Sequence, residues 1–189
     1  MTRVGVVVAG GALAVVVLGA ILASRPARGG PLQEDVPSNA VTFSVTAGTR
    51  FTYGGLQVHN AGDEAAVLDG VSLRGATAGL RIQDASVLPI RQISGGLWFN
   101  HHRYPPPGVS PDRLQPLAGL RMPAAQASGD GMQVLLALTV PSGGVFEFQA
   151  IAIDYHVGGR RYEAVFPFAM RVCAPPVQLG GCPGLDPAE

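Results

Sequence analysis

The sequence predicts an all-β protein, a two-layer antiparallel β-sandwich of about seven to nine strands preceded by one N-terminal transmembrane helix. Three observations lead there. Short β-type segments between turn residues recur from Asn39 to Val172. No stretch in that range keeps the helical apolar period that would supply helices to cover a parallel sheet. Residues 4–23, VGVVVAGGALAVVVLGAILA, are twenty positions without a charge.

A helix of that length, rising about 1.5 Å per residue, spans roughly 30 Å, the hydrocarbon thickness of a bilayer. Met1-Thr2-Arg3 is a positive start like that of a secretory signal peptide, but the apolar part of such a peptide runs only about 7 to 15 residues. The small residues of a cleavage site are also out of register, because Ala23 has Ile21 two positions before it and Ala27 has Arg25. An uncleaved anchor over 1–23, with 4–23 in lipid, is the expectation. Flanking charge leaves its direction open, since the amino terminus and Arg3 are matched by Arg25 and Arg28. Gly5 with Ala9 and Gly10 with Ala14 are spaced for close helix approach, although Gly and Ala are common in such helices anyway.

Residues 24–38, SRPARGGPLQEDVPS, are rich in Pro, Gly and charge and read as a linker. The domain is expected over 39–172. Its first strands are VTFSVT (41–46), TRFTY (49–53) and LQVHN (56–60), followed by a turn at Ala61-Gly62-Asp63 where Gly accommodates a positive φ. AVLDGVSLRG, LRIQDASVL (80–88) and GLWFN (96–100) continue the series. In MQVLLALTV, Val134, Leu136, Leu138 and Val140 share one parity and should face the core. VFEFQAIAIDYHV places Phe146 and Phe148 in one phase and Ile151, Ile153 and Tyr155 in the other, which predicts a bulge near Ala150. Gly158-Gly159 predicts a tight hairpin. The returning strand puts Tyr162, Ala164, Phe166, Phe168, Met170 and Val172 on one side, with Pro167 limiting its pairing.

The phrase LQVHNAGDEAAVLDGVSL resembles the strand, turn and strand found early in bacterial Ig-like or fibronectin-like extracytoplasmic modules, which makes the predicted sandwich Ig-like. The layout of anchor, one such domain and a Cys-bearing tail is similar to single-pass membrane-anchored bacterial proteins, a resemblance that attaches no activity.

Thirteen Arg, with no Lys, balance thirteen Asp plus Glu, so composition offers no basic face for nucleic acid. The two cysteines, Cys173 and Cys182, lie in a tail over 173–189. Zinc sites commonly take four ligands in close pairs, and thioredoxin-like or haem motifs use C-x-x-C, neither of which is present. A disulfide closing a ten-residue loop is the remaining reading, with free thiols or metal as the alternatives. Disulfides persist in oxidising compartments, so the domain is expected outside the cytoplasmic membrane with Met1 to Arg3 inside.

No G-x-S-x-G elbow, H-E-x-x-H or Walker loop occurs, and SGDG (128–131) lacks the Lys and helix that a phosphate cradle needs. Catalysis is therefore not expected, and no cofactor is implied. Asp154 lies between apolar neighbours and, if inward, needs Arg160 or Arg161. A metal reading rests on His59, His101 and His156; His102 points away from His101 on an extended chain. The periplasmic copper chaperones have a similar early phrase, but their clustered His and Met ligands have no counterpart here. The last feature is GLWFNHHRYPPPGVSPDRLQP (96–116). Trp98, Phe99, Arg103 and Tyr104 are interface-type residues, and Pro105, Pro106 and Pro107 form a polyproline ligand, which together suggest a protein partner in the cell envelope. The competing reading makes Trp98 a core plug and the prolines stiffeners of a surface loop.

Overall fold

A computed structural model describes residues 27–35, 40–92 and 100–174. The expected anchor, Trp98, Phe99 and Cys182 lie outside the described residues. The strands are β1 (Ala27–Arg28), β2 (Leu32–Glu34), β3 (Val41–Ser44), β4 (Phe51–Asn60), β5 (Ala66–Arg74), β6 (Arg81–Pro89), β7 (Asn100–His101), β8 (Gln115–Pro116), β9 (Arg121–Met122), β10 (Met132–Thr139), β11 (Gly144–Phe148), β12 (Ala150–Val157), β13 (Arg160–Phe166) and β14 (Met170–Ala174). They form three sheets, ordered β1-β13-β12-β5-β9, β2-β4-β10-β6-β8 with β7 beside β4, and β11-β14-β3. The all-β, sandwich-like expectation holds. Pairing is antiparallel except at two edges, where β1 runs parallel to β13 and β3 parallel to β14.

The alternating apolar positions build one core across all three sheets. Phe51, Tyr53, Leu56, Val58, Val134, Leu136 and Leu138 come from one sheet, Leu68, Ile151, Ile153, Tyr155 and Phe166 from the second, and Phe146, Phe148, Met170 and Val172 from the third. The parity assigned to β10 is the one that meets the common core, and that assigned to β13 with β14 is the more buried one.

Four expectations change. TRFTY and LQVHN are one strand, because Gly54-Gly55 forms a bulge: Val134 pairs with Leu56 and Leu136 with Tyr53, which sets two residues against Leu135. A Cβ on Gly55 would lie 2.8 Å from the Tyr53 hydroxyl, so the site requires glycine for space. Conversely, the phase switch at Ala150 is a change of sheet. β11 pairs with β14 and β12 with β5 and β13, with Gln149 between them. Pro167 marks the matching step from β13 to β14, so the paired strands leave one sheet together and enter the next. Thirdly, Gly62 does not sit at positive φ. Its Cβ would come within 2.6 Å of Pro31, and its N–H donates to Asn60 Oδ1 at 3.1 Å.

The fourth change concerns the expected linker, which supplies two strands. Ala27 pairs with Tyr162 on one sheet, and Leu32 pairs with Asn60 on another. Leu32 is buried in the common core. Gly30, at the crossing, lies so near Tyr155 that a Cβ would stand 2.0 Å from its hydroxyl. This segment is a strap closing one end of the sandwich, and the packed domain begins ahead of Asn39. Gly158 and Gly159, at φ of 52° and 82°, make the expected two-residue hairpin turn. In SGDG, Gly131 is explained by packing, since a Cβ there would meet the Val58 carbonyl oxygen at 2.0 Å.

Candidate functional site

The Pro-rich stretch is a cover for the sheet's outer face. It leaves β4, where His101 pairs with Thr52, and reaches β6, where Pro116 pairs with Ser86, having crossed over β10 between them. Thr52 Oγ1 donates to the Arg103 carbonyl on the way, and Tyr104 Oη donates to Ser86 Oγ at 2.8 Å. Burial pushes the Tyr104 hydroxyl pKa up. Pro106 and Val109 are buried, Pro105 half-buried after a cis Tyr104–Pro105 bond, and Arg103 and Pro107 exposed. Leu135 and Ala137, on the β10 face opposite the core, are also fully buried. Tyr104 and Pro106 thus hold the loop to the sheet, in line with the stiffening reading; they are not displayed as a free polyproline ligand.

The histidines are dispersed. His59 Nδ1 stands 2.7 Å from Asp35 Oδ1 in a buried pair that fastens the end of the strap to β4. His101 accepts a hydrogen bond from the Arg103 N–H at 3.2 Å, and His102 stacks on Phe43 with centroids 4.7 Å apart. His156 Nδ1 meets Asp69 Oδ1 at 2.9 Å on the other sheet. Among the described residues no group of three His, Cys, Asp or Glu is placed to hold a metal ion. Cys173 is buried on β14, and no cysteine among the described residues is free.

The arrangement with open space is the outer face of β5, β12 and β13. A groove of about 640 Å³ is lined there by Asp69, Asp154, His156 and Arg161. Its shape follows from the backbone. Asp154 pairs with Gly70 and Tyr155 with Leu68, so Asp69 is the extra residue of a β5 bulge that turns its carboxylate toward His156. Gly70 has nothing within 4 Å of where a Cβ would be, which leaves the floor open. Asp154 faces outward, opposite Glu163, whereas His156 lies opposite Arg161. Because Asp154 faces outward, the partner that an inward Asp154 would have needed from Arg160 or Arg161 is not required; Glu163 is held by Arg74 at 2.5 Å. The groove therefore offers a carboxylate and a guanidinium on a rigid sheet, with His156 already oriented by Asp69. Sequence reading found Asp154 and His156 separately but missed Asp69, whose position depends on the bulge.

No family model and no curated protein matches the chain. Among solved structures, the CooA pilin subunit from enterotoxigenic Escherichia coli aligns with 77% of this chain and 97% of its own at 10% identity and a TM-score of 0.34. A non-cellulosomal cohesin from Archaeoglobus fulgidus aligns with 78% of this chain and 93% of its own at 12% identity and 0.31. The Vibrio cholerae VesB protease aligns with 76% of this chain at 8% identity and 0.34, and the chain spans 32% of its length.

Proposed function

We propose that the protein is a single-pass, membrane-anchored binding or scaffolding module. Its Ig-like domain stands on the extracytoplasmic side and engages a protein partner of the cell envelope, without catalysis of its own. The observation that carries this is the groove, where Asp154 and Arg161 are charges of opposite sign that the ion pairs among the described residues leave unused. Open polar residues on a rigid sheet suit recognition of a partner segment that carries both charges. The uncharged run at 4–23 supports the anchor, and the buried Cys173 supports a disulfide to Cys182 and with it an oxidising compartment.

The test is site-specific photocrosslinking of the full chain in its own membranes. A probe at Val67, opposite His156 on the outer face, should give one discrete protein adduct that Asp154→Arg removes. A probe at Arg81, on the other sheet, should give none. Identical adduct patterns at both positions would refute the groove. In the same preparation, thiols that alkylate without prior reduction would refute the oxidising location.

A further inference from the structure

We infer that the end of the domain where β4 and β6 begin and β10 ends binds a phosphate group between Arg50 and Arg81. The site is on the sheet away from the partner groove and goes beyond the reading above. Arg81 pairs with Thr139, and Phe51 pairs with Leu138, so the continuing antiparallel register sets Arg50 on the other side of Thr139. Both arginines are exposed, and each follows or precedes a core residue, Leu80 or Phe51, that fixes its backbone. Neighbouring strands lie about 4.8 Å apart, so the two arginine backbones are separated by about 10 Å, a span that two such side chains close onto one anion. Both line one groove of about 450 Å³ together with Gly48, Gln83 and Thr139. Gln83 is the extra residue of a β6 bulge, since Ala137 pairs with Asp84 and Leu138 with Ile82, and its Nε2 donates to Thr139 Oγ1 at 3.0 Å. The Thr139 O–H is thereby left to donate to a ligand.

The charges in these turns have one sign. Segments 45–50, 75–82 and 138–146 contain Arg50 and Arg81 and no Asp or Glu. Neither arginine belongs to an ion pair among the described residues. Asp84, one row further along the same face, has its Oδ1 engaged by the Ala85 N–H at 2.8 Å, and Glu147, after the β10–β11 turn, is held by Arg171. Two guanidiniums on one groove repel each other, and an anion between them replaces that repulsion with attraction. A phosphate group presents three strong acceptor oxygens, enough for both guanidinium forks and the Thr139 hydroxyl, whereas a carboxylate presents two. β4 runs from this end to Asn60, where the strap pairs, so the site stands at the end of the sheet away from the strap.

The experiment is calorimetric titration of the purified full chain in nonionic detergent, at low ionic strength, with inorganic phosphate, glycerol phosphate and acetate. Both phosphates should bind at a single site, and acetate more weakly. Arg50→Gln and Arg81→Gln should each lower phosphate affinity by about tenfold or more, the loss of one hydrogen bond to a charged group. Arg121→Gln, on the other sheet, should leave the affinity unchanged. Without phosphate, neither groove variant should melt below wild type, because each removes a repulsion; this separates lost binding from lost folding. Tighter binding of glycerol phosphate supports the site with a phosphorylated organic ligand as its occupant, and equal affinity supports it with the free anion. The inference is overturned by the absence of phosphate binding, by binding that both groove variants leave intact, by an equal loss in Arg121→Gln, or by acetate binding as tight as phosphate.

Discussion

The strap is most directly tested at Gly30. A methyl group there would lie 2.0 Å from Tyr155 Oη and 2.8 Å from Tyr162 Cδ1. Tyr155 is fully buried and stacks on Tyr162 at 5.4 Å, so the rings cannot yield and the strap must lift. Lifting returns Leu32, now 5% exposed, toward water at a cost of about 1.5 to 3 kcal/mol. It also breaks the β2–β4 ladder at Leu32 to Glu34, each backbone bond contributing about 0.5 to 1.5 kcal/mol. Partial relaxation leaves a net loss of about 2 to 3 kcal/mol for Gly30→Ala, a fall in melting temperature of about 5 to 10 °C for a domain of this size. The readouts are thermal unfolding by circular dichroism and trypsin cleavage after Arg28, which a lifted strap accelerates. Gly29→Ala is the control: its φ of +75° costs about 1 kcal/mol, but no atom lies within 4 Å. Adding Tyr155→Phe, which deletes the 2.0 Å contact, should restore part of the loss in Gly30→Ala. A melting temperature and cleavage rate for Gly30→Ala equal to wild type would show that the strap does not pack on Tyr155.

Other perturbations probe the core. The Tyr53 hydroxyl is buried with no hydrogen-bond partner among the described residues, and its ring packs edge-on against Phe148 and Phe168. Tyr53→Phe should therefore be neutral or stabilising by about 1 kcal/mol in urea unfolding, and a loss greater than that would reveal a partner. Burial raises the pKa of Tyr53 first of all, and likewise those of Tyr104 and Tyr155. The unfolded chain ionises these phenols near the ordinary value of 10.0, so the stability they confer is whole below that pH and is lost as pH climbs above it. Tyrosinate absorbance from Tyr53 should accordingly appear together with the loss of the β-sheet spectrum; ionisation in the folded state would contradict its burial. Gly131→Ala drives a Cβ to 2.0 Å from the Val58 carbonyl, an atom of the backbone, and should cost about 3 kcal/mol in chemical denaturation; an unchanged midpoint would disprove that close approach.

Strand identity and facing were legible in the sequence wherever apolar residues alternate over a long run. Val134 to Val140 and Tyr162 to Val172 carry in the order of residues which side meets the common core, because a pleated strand turns successive side chains to opposite faces. The Gly158-Gly159 turn was equally local, since its positive φ values need no distant contact. Features built on contacts between distant segments were not legible. Gly54-Gly55 looks like a boundary between two strands until β10 lies beside it and absorbs the bulge. SRPARGGPLQEDVPS reads as linker because its described part, 27–35, attaches to the sheets by backbone pairing, one leucine and the Asp35–His59 pair, which leave no composition signal. Asp69 joins His156 only through the offset that β12 imposes on β5. Alternation and turn chemistry are properties of neighbouring residues and so are written in the chain itself. Register, sheet exchange and the groove arise only when strands from distant parts of the chain meet, because backbone hydrogen bonds and close packing choose partners by position and not by residue name.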